Sequence, residues 1–69
     1  MNLTKKVMTV ITALQDGKVK TSKVAHYTGL DLMTILHYKN GRSQVANMRL
    51  AQAQKIGQFY DEEVSRLES

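Results

Sequence analysis

Few side chains in this 69-residue sequence could do bond-making chemistry. It holds two histidines, His26 and His37, six carboxylates and no cysteine. Without cysteine there is neither a disulfide framework nor a thiolate metal site. The spacing of His26 and His37 suits no single helix face, and no nearby carboxylate completes a metal set. Asp61, Glu62 and Glu63 are consecutive, so on a helix they fan outward rather than converge as a paired acid and base would. No Gly-rich phosphate loop is present. A 7.8 kDa chain buries only roughly 60% of its unfolded surface, which leaves one core and no deep pocket. Catalysis, a metal, a cofactor and a small-molecule ligand are therefore not expected.

What remains is charge. Seven Lys and three Arg face three Asp and three Glu, giving +4 and a pI near 9.6. That balance favours an anionic partner, nucleic acid before membrane. Residues 1–60 carry nine basic side chains against Asp16 and Asp31, or +7. The end, residues 61–69, carries four acids against Arg66, or −3. Such a tail is expected either to point away from the anion or simply to add solubility. Val7–Leu14 is too short, and too broken by Thr9 and Thr12, for a signal segment. Nothing approaches a membrane span. A cytoplasmic protein is expected.

The elements that must position these charges are helices. Hydrophobic residues make up 42% of the chain, charged residues 23%, and proline is absent. Leu3, Val7, Val10, Ile11 and Leu14 recur at helical spacing, which predicts a first helix over about 3–15, capped by Asn2 and stopped at Gly17. Lys5 and Lys6 sit at its N-terminus, where the helix dipole disfavours cations. Thr21 or Ser22 can cap a short helix over 22–28, closed by Gly29. Asp31 can cap another over 32–40, closed by Gly41. Residues 42–47 connect to a long helix reaching about 67, with Leu50, Ala53, Ile56 or Gly57, Tyr60, Val64 and Leu67 as its apolar stripe. Of the adjacent Phe59 and Tyr60, one is expected in the core and one outside. The sequence shows no repeat, no low-complexity tract and no strand signal; Lys18–Lys20 is at most briefly extended.

Residues 21–42 are the informative segment. Two short helices joined by Gly29, Leu30 and Asp31 form a helix-turn-helix pattern. Ala25 is small enough for the helices to cross, and Leu30 plugs the corner. Val24, Ile35 and Tyr38 are expected to face the first and last helices. At ~100° per residue with Ile35 at zero, Tyr38 lies at about 300°, so the core lies near 330°. Met33, His37 and Asn40 fall at about 160°, 200° and 140°, a narrow wedge facing away from it. Leu32 and Leu36, at about 60° and 100°, flank that wedge.

Ala25, Gly29, Leu30, Ile35 and Tyr38 stand at fixed spacings, with TGL at 28–30, YKNGRS at 38–43 and NMRLAQAQK at 47–55. This pattern, over roughly residues 3–60, resembles the helix-turn-helix domain of phage repressors, Cro proteins and their bacterial relatives, the XRE family. The resemblance implies a single domain over 1–69, an all-α, compact, lambda-repressor-like bundle of four to five helices. Its helix-turn-helix core would be 21–41 and its acidic end 61–69. It implies a sequence-specific regulator of transcription binding double-stranded DNA, a repressor of phage, plasmid or bacterial type. Base-facing positions would be Leu32, Met33, His37 and Leu36. Phosphate-facing positions would be Thr21, Ser22, Thr34, Lys39, Asn40 and Arg42.

One departure affects specificity. Family members place polar side chains where this chain has Leu32 and Met33. Apolar groups pack on thymine methyls but cannot form bidentate bonds to purines. His37 can bond guanine, or a phosphate when protonated. Moderate specificity follows, leaning on T-rich steps or DNA shape. His26 is read as an ordinary helix residue. Lys5, Lys6, Lys18, Lys20 and Lys23 could add long-range attraction or be a solvated face. A homodimer on a two-fold operator is expected, with Phe59, Val64 and Leu67 as its surface. The competing reading is a helix-turn-helix module that binds protein through Leu32, Met33 and Leu36, as an antirepressor, antitoxin or assembly factor.

Overall fold

The computed structural model describes residues 2–41, 44–64 and 66. Four α-helices form it: α1 (Leu3–Gln15), α2 (Thr21–Thr28), α3 (Leu32–Lys39) and α4 (Leu50–Phe59). A 3₁₀ turn, Val45–Asn47, precedes α4, and a π-helical turn, Tyr60–Val64, extends it. No strand occurs among the described residues, whose regular elements are all helical. No helix among them is long and apolar enough to cross a membrane.

α1 follows its apolar spacing. The Asn2 side chain accepts from the Lys5 N–H at 2.8 Å, satisfying an N–H that the first turn would leave open. Val7, Val10, Ile11 and Leu14 are buried, together with Ala13. α4 packs along α1, and Gly57 lets Leu3 come close: a Cβ at position 57 would lie 2.5 Å from Leu3 Cδ1. Both Ile56 and Gly57 therefore belong to the buried face.

The unit between them is short and tightly latched. Gly29 ends α2 in the left-handed region, φ 72°, and its N–H returns to the Ala25 carbonyl. A side chain there would strain the backbone, so glycine is the suited residue. Thr28 is buried; its hydroxyl donates to the Val24 carbonyl at 2.7 Å and accepts from the Leu30 N–H at 3.3 Å. The turn's polar groups are thus satisfied inside the protein. Asp31 occupies the N-cap position of α3 with extended backbone, although its side chain makes no capping bond. α3 rests on α1 and α2.

Several details depart from the sequence expectations. α2 begins at Thr21, with Lys20 at its N-cap, so neither Thr21 nor Ser22 caps it. The last α-helix starts at Leu50 and gives way to the π turn after Phe59, rather than running unbroken to about 67. Leu50, on its first turn, is exposed, beside an open cleft that also borders Leu3, Val45 and Met48. Phe59 and Tyr60 are both buried. Relative to Ile56 they lie at about −60° and +40°, so both point inward. Val64 is buried as well. Phe59 and Val64 are core residues of one chain and cannot form a dimer surface; Leu67 lies outside the described residues. Val19, in the α1–α2 connection, joins the core, a contribution that helical periodicity does not reveal.

Candidate nucleic-acid interface

α3 fixes one face inward and leaves another open. Ile35 is 0% exposed, and Tyr38 is half-buried against the core. On the opposite side Met33 is 56% exposed and Asn40 is exposed. His37, about 40° beyond Met33 on the wheel, is half-buried. Leu32 is 46% exposed and Leu36 half-buried. The four residues assigned to base contact therefore share the surface of one helix, with Leu32 and Met33 standing furthest out.

The remaining assigned residues are more dispersed. Ser22 is exposed and Thr21 half-buried on the first turn of α2. No side chain at the N-cap position bonds that turn. Thr34 and Lys39 are half-buried on α3. Arg42 lies outside the described residues. His26 is exposed on α2, and no cluster of metal-ligating side chains occurs among the described residues.

The far end of α3 is held by a contact that spacing alone could not disclose. Gln15 Nε2, at the end of α1, donates to the Lys39 carbonyl at 2.9 Å. The last carbonyls of a helix lack internal partners, so this bond both satisfies one and ties α3 to α1. Side-chain amides that bind backbone leave no periodic signature in a sequence.

The acidic segment does not stand apart from the basic body. Asp61 pairs with Lys6 on α1 at 2.9 Å. Glu62 accepts a hydrogen bond from the Tyr27 hydroxyl on α2. Glu63 lies 3.4 Å from Lys23, also on α2. The π turn thus folds its three carboxylates back onto α1 and α2. The bond to Glu62, with partial burial and the negative charge of Glu62, Glu63 and Asp61, pushes the Tyr27 hydroxyl up to about 12. Its ring meets Phe59 edge-on at 5.3 Å, a favoured aromatic geometry.

Compared with protein-family models, curated proteins and solved structures, the chain matches none.

Proposed function

We propose that the protein is a helix-turn-helix regulator of transcription that binds duplex DNA with α3 in the major groove. The observation that carries this reading is the posture of α3. Its Ile35 side is sealed in the core while Leu32, Met33 and Asn40 are exposed. A three-residue turn joins it to α2. A major groove about 12 Å wide admits one helix presented in this way. The positive end of α2, with Thr21 and Ser22 in its first turn, suits a backbone phosphate. Asn40, Lys39, Thr34 and, from the sequence alone, Arg42 add phosphate contacts near α3.

The reading of bases would rest on Leu32, Met33, Leu36 and His37. Apolar contact with thymine methyls supplies the larger share, and His37 supplies the hydrogen bond. A domain of 30 × 23 × 19 Å contacts few base pairs, so a second copy on a two-fold operator is part of the proposal. Half-sites one helical turn apart, about 34 Å, accommodate two such domains side by side.

Binding to mixed-sequence duplex, followed across salt concentration, tests the reading. Log affinity should fall linearly with log salt, at about −0.9 per phosphate neutralised. No retention of DNA at low salt would sink it. Selection from a random pool should return a palindromic site. His37→Ala should then change which sequences are preferred, whereas Arg42→Ala should weaken all of them alike.

The exposed Leu32 and Met33 also favour a second reading, in which α3 docks on a protein. Single exposed apolar residues are normal on a monomer, and here Met8 and Leu50 are exposed on other elements, so this reading ranks second. Salt-insensitive binding, with no retention on DNA, would favour it.

A further inference from the structure

The chain has four methionines and no cysteine, so its sulfur chemistry is thioether chemistry. Met8, Met33 and Met48 lie among the described residues, and their settings differ. Met48 is half-buried and packs against the core. Met8, on α1, is 54% exposed, and Met33, on the first turn of α3, is 56% exposed. These two are equally open to a dissolved oxidant, and neither belongs to the packed core. Only Met33 stands on the surface assigned to base contact. Leu32, next to it in sequence, is also exposed and offers apolar contact without a sulfur. The thioether at position 33 thus adds a reactivity that apolar contact does not need. Oxidation turns methionine into its polar sulfoxide, and methionine sulfoxide reductases reverse the change.

We propose that Met33 is a reversible oxidation site, and that its conversion to the sulfoxide by a peroxide weakens DNA binding. The inference rests on the DNA-binding reading above and adds a control to the same surface. In the step, the sulfur lone pair attacks one oxygen of hydrogen peroxide and the O–O bond breaks. That oxygen stays on sulfur and the other leaves as water. Sulfur loses two electrons, and the peroxide gains them. In the return step a dithiol becomes a disulfide, and the sulfoxide oxygen leaves as water. The sulfoxide oxygen carries partial negative charge. A thymine methyl gives it no hydrogen bond, so seating it against one costs desolvation that the thioether does not incur. Leu32 and Leu36 keep their own contacts, so binding is reduced rather than abolished. Because Met33 lies outside the core, the oxidised chain keeps its fold.

The test treats the full chain with hydrogen peroxide and follows two readouts together. Peptide mass spectrometry gives the sulfoxide at each methionine, and fluorescence anisotropy gives affinity for duplex DNA. Met8 and Met33 should oxidise at similar rates, and Met48 more slowly. Affinity should fall about fivefold, the loss expected when this apolar contact is removed, and in step with Met33. A dithiol with one reductase for each sulfoxide epimer should restore it. Met33→Leu keeps the apolar contact and the other three methionines. It should bind as the parent chain does and hold that affinity after peroxide, whereas Met8→Leu should lose affinity as the parent does. Duplex added before the peroxide should slow oxidation of Met33 and leave Met8 unaffected. An equal loss in oxidised Met33→Leu would trace the effect to another residue or to unfolding, and overturns the proposal. Full affinity in a chain oxidised at Met33 overturns it too. If His37→Ala still alters sequence preference in that case, the α3 reading stands and only this inference falls. Absence of DNA binding by the untreated parent chain removes both.

Discussion

Ile35→Ala and Met33→Ala test the posture of α3 directly. The two residues lie two positions apart, yet one is sealed and the other open. Ile35→Ala deletes three carbons from a fully buried site. At ~0.8 kcal/mol per buried methylene, transfer alone is about 2.4 kcal/mol. The cavity left behind brings the loss to about 2–5 kcal/mol. A domain of this size has total stability of roughly 3–10 kcal/mol, so the variant is marginal at best. Its melting temperature should fall by at least about 10 °C. Met33→Ala removes a side chain that is 56% exposed, and should change stability by no more than about 0.5 kcal/mol. The same substitution should weaken DNA binding about fivefold, through lost apolar contact. Thermal and urea unfolding followed by circular dichroism give the first pair of values, and anisotropy gives the second. Equal losses of stability in the two variants would refute the orientation of α3, and the functional proposal with it. A stable Met33→Ala that binds DNA as the parent does would refute its role in reading bases.

Gly29→Ala places a Cβ at φ 72° and should cost about 1–2 kcal/mol, with Gly29→Asn costing less; urea melts of the two decide this. Gln15→Ala leaves the Lys39 carbonyl without its side-chain donor and should cost about 0.5–1.5 kcal/mol. Faster hydrogen exchange confined to the end of α3 would mark the loss, and unchanged exchange there would count against the tie. Tyr27 should lose its proton near pH 12, where an ordinary tyrosine does so near 10, and Tyr27→Phe should abolish that late component of the tyrosinate absorbance. The folded protein holds this proton more tightly than the unfolded chain, so the contribution is complete below pH 10. It is lost as pH rises from about 10 to about 12. Glu62→Ala should return the titration toward the ordinary value, and a Glu62→Ala protein still titrating near 12 would show another cause.

The main helices were legible in the sequence because their signals are local. Leu3, Val7, Val10, Ile11 and Leu14 repeat at the helical period, Asn2 can cap its own helix, and Gly29 permits a positive φ wherever it stands. The angle between Ile35 and Met33 around α3 follows from helical geometry alone, so the open face could be read without coordinates. The start of α2 and the end of α4 were less legible, because helix boundaries depend on packing as well as on capping residues. Leu50 shows the same limit: its place on an apolar stripe is local, but whether another element covers it is not.

Tertiary structure alone decided where residues distant in sequence meet. Phe59 and Val64 read as available apolar side chains until α1 and α2 closed over them. Gln15 reaches the end of α3, and Val19 enters the core from a connection without periodicity. The charge pattern changed most. A +7 body and a −3 tail are properties of composition, and no local rule says whether the tail stands away. Coulomb attraction acts between whichever groups the fold brings near. The π turn brings Asp61, Glu62 and Glu63 to Lys6, Tyr27 and Lys23, making these three acids part of the basic surface.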